Sequence, residues 1–502
     1  MINEYLDVLI IGAGLSGIGA ACHLTKSCPT KSFAILEGRE RMGGTWDLFQ
    51  YPGIRSDSDM YTLGYNFKPW TNPKAIADGP SILSYIKETA QENNIDKHIR
   101  YQQKVKSANW SNKDALWTVS IEDASTGKEK TISCNFFLSC AGYYSYESGY
   151  QPEFKGKKDF GGSIIHPQDW PKDLNYKNKK VVVIGSGATA VTIVPAMTDK
   201  AKHVTMLQRS PTYMMSLPAK DDSINKLRKY LPEKLVYRIA RTRNVALSMG
   251  TYQISRRFPE KTKEFLLAQV EKQLGPNYDM KHFTPTYNPW DERLCAVTNG
   301  DLFKAINNNK ASVVTGHIDK FTKKGILLES GESLEADIII TATGLNVQML
   351  GGIELSVDNR KFNITEKMLY KGVLIEGLPN LGLVFGYTNA SWTLKADLVS
   401  EYVCRLINQM DRKDMRQCTP INADKSVHHS PFLDMRSGYV QRALNKVPQQ
   451  GSHLPWKLYQ NYAFDMAMLR LGKMNDGIIR FSHPTSENAG VSSERKVETL
   501  MQ

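Results

Sequence analysis

Cysteine is scarce in this sequence, seven in 502 residues. Cys22, Cys28, Cys134, Cys140, Cys295, Cys404 and Cys418 form no CxxC pair and no Cys/His metal spacing. That argues against a disulfide framework, a zinc module and a thiol redox centre. Reduced, mostly buried thiols in a reducing compartment are expected instead. Long apolar runs are missing too, since no stretch reaches the roughly 18 residues that span a bilayer. The amino-terminal MINEYLDVLIIGAG lacks a basic stretch, and its apolar run enters a glycine turn. It reads as a strand and not as a signal peptide, so a soluble cytoplasmic protein is expected. Acidic residues are the scarcer charge, 51 against 64 Lys and Arg, for a net charge of +13. That excess admits a nucleic acid, an anionic membrane or an anionic cofactor as partner. No nucleic-acid motif accompanies it, which puts nucleic acid last. The remaining composition, 41% hydrophobic and 23% charged, is that of a globular protein and excludes a disordered, collagenous or coiled-coil chain. The length suits about three domains, or two large ones.

Residues 5–11 form a nearly continuous apolar run, the pattern of a parallel strand buried on both faces. Gly12-Ala13-Gly14-Leu15-Ser16-Gly17 follows and opens a helix. In such a turn the first glycine allows the tight bend, the second lets the backbone approach a pyrophosphate, and the third packs helix on strand. The helix N-terminus supplies free N–H groups and positive dipole. A second strand, SFAILE, ends at Glu37, where an acid takes the ribose hydroxyls. An acid there disfavours a 2′-phosphate, so this unit suits FAD or NAD. Downstream, Gly43-Gly44-Thr45-Trp46 is too glycine-rich for a strand or helix and suggests backbone passing a flat ligand.

The pattern recurs. KVVVI leads into Gly185-Ser186-Gly187-Ala188-Thr189-Ala190 and a helix, and HVTML leads to Gln208, Arg209 and Ser210. An acid is replaced by Gln, and Arg follows, which is how this fold accepts a 2′-phosphate. NADPH is therefore expected at the second turn. Two dinucleotide turns in one chain predict an α/β fold with two Rossmann-like domains, one for a flavin and one for a hydride donor. FFLSCAGYY (136–144) and ADIIITATGLN (336–346) read as strands that return the chain to the two turns.

Between the units stands Phe160-x-Gly162-xxx-His166-xxx-Trp170-Pro171. It resembles the FxGxxxHxxxWP fingerprint of type I Baeyer–Villiger monooxygenases at all six fixed positions. The segments GGTWDLFQYPGIRSDSDMYTLGYNFKPW, FTPTYNPWDERLCAVTNGDLF, GLVFGYTNASWTLKADL and SGYVQRALNKVPQQGSHLPWKLYQNY extend the resemblance over nearly the whole chain. They are most similar to the subgroup that holds the mycobacterial ethionamide-activating monooxygenase. The resemblance implies FAD, NADPH and molecular oxygen as reactants. It implies insertion of oxygen beside a ketone carbonyl through a flavin peroxide, with sulfur oxidation in some members. Asp57 in YPGIRSDSD matches the active-site aspartate, and Arg293 in NPWDERL matches the catalytic arginine. A guanidinium is always charged and suits the oxyanions of such an addition. Many members carry Lys before that arginine; here it is Glu292, which leaves Arg209 with more of the phosphate recognition. His166 is expected to hold the linker, and Trp170 to anchor it.

The expected organisation is a flavin domain over 1–150, a nicotinamide domain over 151–221, a helical insertion over 222–295, the rest of the nicotinamide domain over 296–345, and the rest of the flavin domain over 346–502 with a polar tail. Leu227, Leu231, Leu235 and Ile239 recur every four residues and predict one helix in the insertion. Its Arg228, Lys229, Lys234, Arg238, Arg241 and Arg243 read as a solvated face, with a peripheral membrane contact as the sharper alternative. The rival reading of the whole is a flavin-containing N- or S-monooxygenase without ketone chemistry, which a ketone-versus-sulfide assay separates.

Overall fold

The computed structural model describes residues 4–292, 294–432 and 438–484. Arg293, residues 433–437 and residues 485–502, most of the polar tail, lie outside them. The strand Glu4–Ile11 buries Val8, Leu9, Ile10 and Ile11, and runs parallel to Phe33–Leu36 on one side and Glu129–Ser139 on the other. Burial on both faces is what its unbroken apolar run demands. Leu381–Leu383 joins in parallel beyond Glu129–Ser139, so a segment some 250 residues downstream completes the same sheet. Gln103–Ser111 and Leu116–Asp123 extend that sheet as an antiparallel meander. There apolar and polar residues alternate: Trp117, Val119 and Ile121 are buried while Thr118 is exposed. The helices Leu15–Ser27 and Trp392–Arg412 pack together over the sheet.

A second sheet is wholly parallel, in the order Ala311–Thr315, His203–Gln208, Lys180–Ile184, Ile338–Thr341, Ser163–Ile165. Each glycine turn thus follows the carboxyl end of a central strand, where ligands bind in open α/β sheets. The α/β class with two Rossmann-like sheets agrees with the sequence expectation.

Two local expectations are corrected. The insertion does not continue one helix through Leu227–Ile239. Asp222–Leu227 ends, Pro232 intervenes, and Glu233–Arg257 begins after it. Proline has no N–H to donate and its ring clashes with the preceding turn. Leu227 and Leu231 pack on the core, whereas Leu235 and Ile239 are 43% and 38% exposed. The stretch after Gly43-Gly44 is also not irregular: Thr45–Leu48 is a one-turn helix with Gly44 at its N-cap.

Candidate active site

The first glycine turn is shaped by contacts that leave no room for a side chain. Gly12 has φ of +98°, and a Cβ there would stand 2.8 Å from the Cys140 carbonyl oxygen. Gly185 in the second turn has φ of +132°, and its Cβ would lie 2.4 Å from the Ala342 carbonyl oxygen. The small residues Cys140–Ala141 and Ala342–Thr343 therefore return to the two turns in the same way, because each strand they end lies parallel to the strand feeding its turn.

Around the first turn the chain builds one cavity of about 1070 Å³. Gly12, Gly14 and Ser16 line it, with Gly17 behind them in the helix. Glu37 is buried at the strand end, where its two carboxylate oxygens accept from the Ala13 and Arg39 N–H groups at 2.8 and 3.0 Å. Burial pushes its carboxyl up, and those two N–H groups oppose the shift. The Gly43 N–H donates to Ala13 O at 2.9 Å, and the Gly14 and Gly44 backbones approach so closely that a Cβ on Gly44 would lie 3.0 Å from Gly14 Cα. Gly44, Thr45 and Trp46 thus form the opposite lip of the same cradle.

A loop carrying Ser56, Asp57, Ser58 and Asp59 enters the cavity next. Asp59 caps the short helix Met60–Leu63 by accepting from the Thr62 N–H at 3.1 Å. Asp57 is exposed into the cavity, and its carboxylate accepts no hydrogen bond recorded among the described residues. The wall beyond comes from Tyr387–Trp392. Trp392 donates its Nε1–H to Ser16 Oγ at 2.7 Å and stacks on Tyr143, ring centroids 5.1 Å apart. Behind that wall Tyr387 donates to Asp465 at 2.6 Å, and Lys395 pairs with the same carboxylate at 2.8 Å. Burial lowers the Lys395 ammonium and raises the Tyr387 phenol.

The second turn borders this cavity without lining it. Ser186 O accepts from Cys295 Sγ at 3.6 Å, and Cys295 lines the cavity. Thr189 meets the Tyr51 hydroxyl. A Cβ on Gly187 would meet nothing within 4 Å, so the turn faces open space ahead of the helix Ala188–Met197, which includes Ala190. Arg209 and Ser210 are exposed at the end of His203–Gln208. Glu292 lies in the field of Arg209, which opposes the rise that burial imposes on its carboxyl.

The fingerprint lies between the sheets. His166 Nδ1 accepts from the Gln168 N–H at 3.2 Å, so its Nε2–H donates to Gly344 O at 3.2 Å and the ring is neutral. Burial holds its pKa below the usual 6.5. A Cβ on Gly162 would lie 2.1 Å from Asp337 O and 2.7 Å from the Phe160 ring, so that pair packs tightly at the sheet edge. Trp170, just before Pro171, packs on the core of the second sheet.

The insertion supplies what sequence reasoning missed. Asn244, Leu247, Ser248 and Thr251 of the helix Glu233–Arg257 line the cavity, and so does Trp290. Their three-to-four-residue spacing along one helical face was the available signal. The helix is held in place by Arg241, which is not a solvated charge as expected. Its guanidinium donates to Tyr61 O and Gly64 O at 2.9 and 2.7 Å and pairs with buried Asp397 at 3.3 Å. Arg228 and Arg243 are likewise paired, with Glu233 and Asp221. Also absent from the expected set were Arg39, two residues beyond Glu37, and Tyr143, Tyr144 and Tyr146 after the returning strand, all of which line the cavity.

The residues present fit a dinucleotide at each turn: a glycine-bounded cradle with an acid at the strand end at one, an open helix N-terminus with an Arg at the other. The comparisons agree. Residues 73–407 match the model described as flavin-binding monooxygenase-like, and residues 10–71 match that of an NAD(P)-binding Rossmann-like domain. The FAD-containing monooxygenase EthA of Mycolicibacterium smegmatis is 53% identical over 493 residues, covering 98% of this chain and 99% of that protein. MymA of Mycobacterium tuberculosis is 52% identical over 492 residues, covering 97% and 99%. Among solved structures, an oxidised steroid monooxygenase bound to NADP matches with a TM-score of 0.75 at 20% identity, covering 96% of this chain and 100% of that one. A cyclohexanone monooxygenase bound to ε-caprolactone matches with a TM-score of 0.74 at 19% identity, over the same shares. At such identities the likeness is one of fold.

Proposed function

Because the chain belongs to the flavin-binding monooxygenase-like family, and is an FAD- and NADPH-dependent monooxygenase, we propose that it converts a ketone to an ester. One oxygen atom of O2 enters the bond between the carbonyl carbon and its neighbour. The other leaves as water, with two electrons from NADPH and one proton. The observation that carries this reading is the convergence of the first glycine turn, the Asp57 loop and the Tyr387–Trp392 wall on one cavity.

The bound flavin supplies the oxygen activation. This chain's residues bind and orient. Gly12, Gly14, Ser16, Gly17, Glu37, Gly44, Thr45 and Trp46 hold FAD. Gly185, Gly187, Ala188, Thr189, Ala190, Arg209 and Ser210 hold NADPH, with Arg209 on the 2′-phosphate. Arg293 stabilises the oxyanion formed at the substrate carbonyl, and Asp57 orients Arg293 and offsets its charge. The roles of Arg293 and Asp57 rest on the family resemblance. Phe160, Gly162, His166, Trp170 and Pro171 hold the linker. The reading divides the chain into a flavin domain (1–150 and 346–502), a nicotinamide domain (151–221 and 296–345) and an insertion (222–295). It places the protein in the cytoplasm with a small-molecule ketone or sulfide and molecular oxygen as partners, a peripheral membrane contact through the insertion being the alternative to a solvated face.

The test is purified protein with NADPH, oxygen and a panel of linear, cyclic and aryl ketones and sulfides, read by product mass. Yellow protein that forms esters is expected. Colourless protein, or sulfoxides with no ester from any ketone, would refute the ketone reading.

A further inference from the structure

The indole of Trp392 occupies a seat made for it. A Cβ on Gly386 would stand 2.4 Å from its ring, so no side chain fits at that position. Tyr143 stacks on the indole with the rings 9° from parallel, and Phe385 packs against it at 5.4 Å. The start of the helix Trp392–Arg412 is fixed as well. Ser391 Oγ meets Thr62 Oγ1 at 2.6 Å, and Thr393 Oγ1 donates to Leu63 O. With ring and backbone both held, the Nε1–H has one direction. It points at Ser16 Oγ, 376 residues earlier in the chain, at 2.7 Å.

That bond decides what Ser16 can do. An indole nitrogen donates and never accepts, whereas a hydroxyl has one proton and two lone pairs. Accepting from Trp392 therefore turns the Ser16 proton away from the indole. Hydroxyls in a helix often return that proton to the carbonyl four residues back, here Gly12 O. No such bond is recorded, and the Ser16 proton finds no acceptor among the described residues. Ser16 is 8% exposed and lines the cavity, so its proton is left for whatever the cavity holds. The helix Leu15–Ser27 begins here with no acid in its first turn. Its free N–H groups and its dipole favour an anion at the same spot.

We propose that Trp392 is a positioning residue for the cofactor, its indole N–H orienting the Ser16 hydroxyl as a donor to the FAD diphosphate. A hydrogen bond to a charged acceptor is roughly twice as strong as a neutral one, so a donor aligned before the cofactor arrives counts most against the diphosphate. The arrangement also makes cofactor binding depend on a distant segment, since residue 392 completes a site that residues 12–17 begin. The proposal rests on the assignment of FAD to the first glycine turn and is independent of the ketone reading.

The experiment dilutes the full flavoprotein and reads released FAD by its fluorescence. Trp392→Phe keeps an aromatic ring against Tyr143 but removes the N–H, and Ser16→Ala removes the hydroxyl. Each should raise the FAD dissociation constant about tenfold or more, the usual contribution of one charge-assisted hydrogen bond. The double variant should match Ser16→Ala within about twofold, because the indole acts only through that hydroxyl. Losses that multiply to about a hundredfold in the double variant would overturn the proposal. So would wild-type affinity in Ser16→Ala. The cycle holds even where Trp392→Phe loosens the wall, since general loosening would weaken FAD in the Ser16→Ala background too. ADP and adenosine, added to displace FAD, give a second readout. Trp392→Phe should raise the inhibition constant of ADP about tenfold and leave that of adenosine unchanged. Equal weakening of both would make Trp392 a packing residue and overturn its diphosphate role. Gly12→Ala, measured alongside, tests the assignment beneath. Undiminished FAD affinity there would refute the cradle itself. Reduced affinity there, with wild-type affinity in Trp392→Phe, would refute the role of Trp392 alone.

Discussion

Arg241→Met tests whether the insertion is a built part of the active site or an appendage. Arg241 ties the long helix Glu233–Arg257 to the core that packs on the first sheet. It bonds two carbonyls, Tyr61 O and Gly64 O, and pairs with Asp397, which is 3% exposed. Asp397 would keep His23 at 3.1 Å and the Asn66 N–H at 2.9 Å. It would still lose its permanent cation. Removing one partner of a buried pair costs about 3–5 kcal/mol, because the remaining charge stays desolvated. Unfolding entropy of about 2.1 cal/mol/K per residue gives roughly 1 kcal/mol/K if all 502 residues melt together. The melting temperature should therefore fall by about 3–5 °C. The KM for substrate should rise as well, since Asn244 and Ser248 lie within two turns of Arg241 on the same helix. Adding Asp397→Asn should recover much of the stability, because no buried charge is then left alone. Calorimetry of the flavin-bound protein reads the first effect and steady-state kinetics the second. A single variant melting within about 1 °C of wild type would refute the reasoning.

Other perturbations follow from the same geometry. Gly12→Ala forces a side chain into positive φ and against the Cys140 carbonyl, so flavin content should drop, by about tenfold or more in affinity for 1–2 kcal/mol of strain; a full complement of FAD would count against the assigned cradle. His166, held neutral by burial, has a folded pKa below 6.5. As pH falls through about 6.5 the unfolded chain binds a proton before the folded chain does, so stability present above 6.5 is lost at up to about 1.4 kcal/mol per pH unit. His166→Asn should make urea-denaturation stability depend less on pH between about 7 and 5.5, although His282, shifted the same way, keeps part of the slope; an unchanged slope would contradict this. Arg209→Ala should raise KM for NADPH and leave that for NADH nearly unchanged; equal effects would remove the 2′-phosphate role. Arg293→Ala should leave flavin reduction by NADPH intact and cut ester formation by about 10²–10³ or more; normal ester yield would exclude it from the oxygen-transfer step.

Much of the site can be read without coordinates because its chemistry is written in backbone. The turns at Gly12 and Gly185 need positive φ and close approach to a neighbouring carbonyl, and only glycine meets both conditions. Strands buried on both faces need unbroken apolar runs, so the strand before each turn also declares itself. Glu37 and Arg209 follow by position, at the end of the second strand of each unit. Sequence reading failed where a residue's role depends on what folds against it. The four-residue leucine spacing suggested one helix until Pro232 divided it. Arg241 looked like its exposed neighbours Lys234 and Arg238, and no local feature distinguishes them.

The sequence by itself determined two glycine turns on strand–turn–helix units, their order and the fingerprint between them, because spacing along such a unit is local and its glycines are sterically obligatory. The tertiary structure alone decided that Trp392, far along the chain, closes on Ser16. It also decided that the helix Glu233–Arg257 forms a cavity wall, held by a buried Arg241–Asp397 pair. Those outcomes depend on which surfaces remain uncovered once distant segments pack, and a one-dimensional pattern carries no record of that.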